Sequence, residues 1–83
     1  MEEEVGKVFK YFKKPGVAAV KIDSGEVEIG DILHFKGEHT DFEQKIESMQ
    51  IEQDSVVKVG PGDDVGIKVN ERVRPNDKVF KVK

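Results

Sequence analysis

Val5-Gly6-Lys7-Val8-Phe9-Lys10-Tyr11-Phe12 runs into Lys13-Lys14-Pro15-Gly16 and leaves through Val17-Ala18-Ala19-Val20-Lys21-Ile22. The first run is rich in β-branched and aromatic residues, which suit a pleated strand, and it has no helical stripe. Pro-Gly is a strong turn signal. Asp23-Ser24-Gly25 ends the second run. The stretch predicts a β-hairpin with its loop at 13–16.

The period of two continues outward from it. Glu26 to Asp31 is a short extended piece closed by Gly30-Asp31, and Ile32-Leu33-His34-Phe35 is a further strand stopped at Lys36-Gly37. Phe42 to Glu52 carries helix formers, yet Phe42, Gln44 and Ile46 alternate with Glu43, Lys45 and Glu47. It is expected to be a strand, bent near Ser48, where the apolar residues switch to Met49 and Ile51. Val56 to Val59 is another strand, and Gly60-Pro61-Gly62-Asp63 is a turn. Val65, Ile67 and Val69 face one way along the next strand. Arg74-Pro75-Asn76-Asp77 turns the chain into the last, Lys78 to Lys83. The expectation is an all-β fold, a small closed antiparallel β-barrel of six or seven strands, spanning 1–83 as one domain. Closure suits a short chain, since it leaves no long unpaired edge.

Composition narrows the function. The chain has 83 residues, 37% charged and 36% hydrophobic, with no Cys. That removes disulfides, thiolate nucleophiles and Cys-based metal sites. Residues 1–4 read as a disordered acidic N-terminus, the opposite of a signal peptide. No apolar run approaches the ~20 residues of a membrane span. The expected setting is cytoplasmic. The net charge of −3 excludes a wholly basic nucleic-acid binder, but it is unevenly placed. Residues 1–22 hold five Lys against three Glu, residues 23–54 ten acids against two Lys, and residues 55–83 seven bases against four acids. An anion meets basic ends on an acidic protein.

Gly25-x-Val27-x-Ile29-Gly30-Asp31-x-Leu33-x-Phe35-x-Gly37 resembles a signature in the second domain of translation factor GTPases, the group of elongation factor Tu and initiation factor 2. Gly6-Lys7-Val8, Ile46-x-Ser48-Met49, Gly62-Asp63-Asp64-Val65-Gly66-Ile67-x-Val69 and Asp77-x-Val79-Phe80 resemble further strands of that barrel, in the same order. The chain departs from the family at Lys13-Lys14-Pro15-Gly16. It also lacks any G-x-x-x-x-G-K-[ST] phosphate loop, so nucleotide binding and GTP hydrolysis do not carry over. It is similar as well to barrels appended to collagenase-like peptidase-family proteins that act on RNA. The resemblance implies a free-standing translation-factor-like barrel, without an enzyme activity of its own, that touches tRNA or ribosomal RNA.

The residues add their own candidates. Lys7, Lys10, Lys13 and Lys14 interleave with aromatics, the pattern of an RNA surface in which amines meet phosphates and rings stack on bases. Tyr11 is the expected stacking ring if it is exposed, and Arg72, Arg74 and Lys78 join the patch if the fold brings them beside the hairpin. The acidic 23–54 region offers an alternative, docking on a separately encoded partner enzyme. His34 and His39 stand near Glu38 and Asp41, but a metal site needs three or four converging ligands, so no metal is expected. Asp31 and Asp63 follow Gly and read as turn residues. No cofactor motif and no catalytic constellation emerges around Ser24 or Ser48.

Overall fold

β1 (Glu2–Phe12) and β2 (Val17–Ile22) form the expected hairpin around a turn at residues 13–16. The computed structural model describes all residues, Met1–Lys83. The remaining strands are β3 (Val27–Glu28), β4 (Ile32–Lys36), β5 (Asp41–Lys45), β6 (Met49–Ile51), β7 (Asp54–Ser55), β8 (Lys58–Val59), β9 (Asp64–Lys68) and β10 (Lys78–Val82). There is no helix, and so no helix long and apolar enough to cross a membrane.

Eight strands form one antiparallel sheet in the order β5-β4-β10-β1-β2-β9-β6-β7, and β3 pairs separately with β8. The all-β expectation holds, but the closed barrel of six or seven strands does not describe the ladder. The chain makes ten short strands, and no continuous ladder joins the two flanks of the sheet. A side chain spans the gap instead. Gln44 on β5 donates from Nε2 to the Lys68 carbonyl at 2.8 Å, and its Oε1 accepts the Asn70 N–H at 2.7 Å. Buried at this seam, it satisfies one backbone group at the end of β9 and one just beyond it.

The stretch expected to be one strand from Phe42 to Glu52 is interrupted at residues 46–48, where the bend was placed. Ile46 leaves the ladder to exchange hydrogen bonds with the β3–β4 connection: its N–H donates to Asp31 O at 2.8 Å, and its carbonyl accepts from Gly30 N at 2.9 Å. Its side chain is fully buried.

Residues 1–4 are not disordered. Glu2, Glu3 and Glu4 pair with Val82, Lys81 and Phe80 of β10. The cause is long-range: Lys83 lies 3.0 Å from Glu3, and its N–H donates to the Met1 carbonyl.

One turn is used three times. In Glu28-Ile29-Gly30-Asp31, Gly60-Pro61-Gly62-Asp63 and Arg74-Pro75-Asn76-Asp77, the Asp N–H donates to the carbonyl three residues back, at 3.0–3.1 Å. Its carboxylate accepts the N–H of that same residue at 2.8–2.9 Å. The third residue has positive φ, 99° at Gly30, 92° at Gly62 and 78° at Asn76, which explains Gly or Asn there. The expected turn role of Asp31 and Asp63 is thereby given its geometry.

Seventeen buried residues form a single cluster inside the curled sheet, with Phe35 stacked on Phe42 at 5.1 Å between centroids. Replacing Gln44 by Leu keeps the volume but strands its two backbone partners. We expect Gln44→Leu to lower unfolding free energy by about 1–3 kcal/mol, read from urea denaturation.

Candidate functional site

The register of the sheet sets charges side by side. Lys36 of β4 lies opposite Lys78 of β10, Lys78 opposite Lys7 of β1, and Lys7 opposite Lys21 of β2. All four side chains are exposed. Strands lie about 4.8 Å apart, so the four backbone positions span about 15 Å. Asp41 on β5 and Asp64 on β9 end the row. Only Lys21 has an ion-pair partner, Asp64 at 3.3 Å. Like charges directly opposite are unfavourable in a sheet. Three adjacent lysines with no ion pair of their own are therefore a costly arrangement, offset only by Asp41 opposite Lys36 at the end of the row.

The row leads into a polar recess of about 440 Å³, walled by Lys36–His39 and Arg74–Lys78. Gly37 is required here, because a Cβ would overlap Asp77 Oδ1. Lys36, His39, Arg74 and Lys78 put four basic side chains around one hollow. At the other end, Asp64 is also on the wall of a shallower groove of about 260 Å³ that contains Phe9, Phe12, Ala19 and Val65. Phe9 is 50% exposed and Phe12 41%, so both rings are open to solvent.

The sequence candidates fall into three places. Lys7 stands in the row. Arg74 lines the recess with Lys78, while Arg72 sits on the same loop between β9 and β10. That loop is tied to the hairpin at both ends: Val69 N donates to Gly16 O, and Asn76 N to Val8 O. Lys13 and Lys14 are exposed in the hairpin turn, about 20 Å along the strand from Lys7. Lys10 places its ammonium 4.9 Å from the centre of the Phe12 ring.

Tyr11 is not the exposed stacking ring. It is half-buried and packs on the core. The register slips between Val8 and Lys10, so Phe9 is an extra residue and strict alternation fails. Phe9 and Phe12 are the exposed aromatics. Sequence reasoning also missed Lys21 and Lys36 as site residues. Their signal is cross-strand register, which no local pattern carries.

The acidic 23–54 region is spread from β3 to β7. Glu26 pairs with Lys58 at 3.1 Å, and Asp31 with Lys81 at 3.3 Å. Of the two histidines, His39 lines the recess and His34 lies on β4. His34 Nε2 is 2.5 Å from Asp41 Oδ1, and Nδ1 is 2.7 Å from Glu2 Oε2. The hydrogen bond to Asp41 raises the His34 pKa above its usual value, against the opposing effect of burial and with help from Glu2. The same bond holds the Asp41 carboxyl below its ordinary range. Ser24 donates its hydroxyl to Glu4 O at 2.9 Å.

No protein-family model matches the chain. It is 42% identical over 78 residues to a collagenase of Porphyromonas gingivalis, covering 93% of this chain and 22% of that protein. It is 35% identical over 81 residues to an uncharacterized protease of Methanocaldococcus jannaschii, covering 96% of this chain and 20% of that one. The chain thus spans about a fifth of the length of the curated relatives it matches. Its structure is similar to the C-terminal domain of a U32 peptidase of Geobacillus thermoleovorans, with a TM-score of 0.89, 26% identity, and 98% and 93% of the two chains covered. The selenomethionine variant of that domain gives a TM-score of 0.86 at 28% identity, covering 93% of this chain and 96% of that one.

Relieving the lysine row tests its cost. We expect Lys7→Gln/Lys78→Gln to raise stability by about 0.2–1 kcal/mol at low ionic strength. In urea denaturation that gain should shrink as salt screens the charges.

Proposed function

We propose that this chain is a non-enzymatic accessory module of a U32-peptidase-type protein, and that its basic face holds RNA. The observation that carries the reading is the run of four in-register lysines, three of them without an ion pair. A polyanion removes the repulsion that the row stores. Phosphates would lie along Lys36, Lys78, Lys7 and Lys21, with Arg74 reaching from the recess. Bases would stack on Phe9 and on the side of Phe12 away from Lys10, both rings being solvent-exposed in a groove that adjoins the end of the row. The resemblance to translation factor barrels supports RNA, of tRNA or ribosomal type, as the anion. A cytoplasmic setting follows from that substrate. Lys13, Lys14 and Arg72 extend the positive field without joining the row.

The test is anisotropy of fluorescently labelled tRNA with increasing protein, at several salt concentrations. Binding should be saturable and weaken steeply between about 50 and 200 mM salt, with a log–log slope of about −3 for four phosphate contacts on single-stranded segments. Lys7→Gln/Lys78→Gln should weaken it at least tenfold, and Lys13→Gln/Lys14→Gln less. Binding that ignores the row variant would overturn the assignment of this face.

A second reading has its own support. The chain matches only about a fifth of each longer relative, so its surface has a covalently joined neighbour in those proteins. As a separate chain it would dock on a partner enzyme, through the acidic 23–54 region. Capture of one stoichiometric, nuclease-insensitive enzyme of the peptidase type would favour this reading over RNA.

A further inference from the structure

One group of donor atoms takes no part in the proposed RNA face. His34 on β4 lies directly opposite Glu43 on β5, and Glu2 reaches it from β1, two strands away. One donor atom from each of the three lies within 4.8 Å of the others. The strands that carry them are 32 and 9 residues apart in the chain, and sheet register brings them together.

The ring of His34 is held from the far side. Asp41 takes Nε2 at 2.5 Å, and Phe80 packs at 6.1 Å between centroids. Nδ1 is therefore turned toward Glu2, 2.7 Å from its Oε2, and Glu43 stands directly across the ladder from His34. A carboxylate on the remote nitrogen of a histidine is the arrangement that orients and strengthens an imidazole ligand. Charge agrees with this. Neither Glu2 nor Glu43 pairs with a lysine or arginine, so with Asp41 three carboxylates surround a single imidazole.

We infer that Glu2, His34 and Glu43 form a binding site for a divalent transition-metal ion of the zinc class, with Asp41 as the residue that positions His34. Imidazole nitrogen selects this class over Mg²⁺ and Ca²⁺, which prefer all-oxygen shells. Ligand bonds of about 2.0–2.2 Å need donors about 3–4 Å apart. Both glutamates are exposed and can rotate to supply that spacing. Three protein ligands leave a coordination position open to water.

The experiment is calorimetric titration of ZnCl₂ into the metal-stripped full chain near neutral pH, in a non-coordinating buffer. One equivalent should bind in the micromolar range, and MgCl₂ should give no saturable heat. Glu43→Gln should weaken Zn²⁺ binding at least tenfold, and Asp41→Asn by about 10–100-fold. His34→Gln should abolish it, and His39→Gln should leave it unchanged. The Glu43 side chain is exposed and makes no hydrogen bond, so its variant is the one least able to fail by unfolding, and an unchanged melting curve confirms that. Absence of saturable Zn²⁺ binding would overturn the proposal. So would binding that survives Glu43→Gln and disappears with His39→Gln, which would move the ion to the recess.

Discussion

Pairing of β1 on both of its edges is the constraint on which the rest of the structure depends. β10 lies along one edge and β2 along the other, and both pairings are in register at Lys7. Two irregularities, after Glu4 and after Val8, let the strand bend with the curl of the sheet. Gly6 permits the closest part of that bend, because a Cβ there would overlap the Lys21 carbonyl. One strand therefore carries the N-terminal glutamates to β10, places Val5 and Val8 in the core, and leaves Lys7 outward. The lysine row and the Glu2–His34 contact are both consequences of this register.

The same geometry brings opposite charges to adjoining rows of one face. Lys36 and His34 are two positions apart on β4, so they point outward together. Lys36 continues into the lysines of β10, β1 and β2, while His34 meets Glu2, Asp41 and Glu43. Asp41 stands between the two sets, opposite Lys36 in register and hydrogen-bonded to His34. A net charge of −3 hides this separation, because the positive row is assembled from lysines 7, 21, 36 and 78.

What was legible in the sequence was local. The hairpin about Pro15-Gly16, the Gly30-Asp31 and Gly62-Asp63 turns and the bend near Ser48 each depend on a few adjacent residues. The turn chemistry of Asp with a preceding Gly can be read directly from such a stretch. Glu2–Glu4 looked unstructured because their partners, Val82 to Phe80, lie about as far along the chain as it extends. Tyr11 packs inward because the extra residue at Phe9 breaks the alternation that would set Lys7, Phe9 and Tyr11 on one face. The closed barrel rests on strand number and spacing together with the family resemblance, neither of which reports whether the two edges of the sheet meet. Gln44 bridges the seam where no ladder forms, and a lone polar residue on an apolar face was its only trace. Lys36 sat unnoticed in the most acidic third of the chain, since cross-strand neighbours are set by register and not by sequence distance.

The most direct test of the proposed RNA-binding face is a residue-resolved map of the surface that RNA perturbs. Amide chemical shifts of ¹⁵N-labelled protein should be followed during titration with a short single-stranded RNA. The largest changes are expected along Lys36, Lys78, Lys7 and Lys21, continuing to Phe9 and Phe12 and fading with added salt. Changes confined to β3, β6 and β7, or none at concentrations where RNA is in excess, would contradict the account.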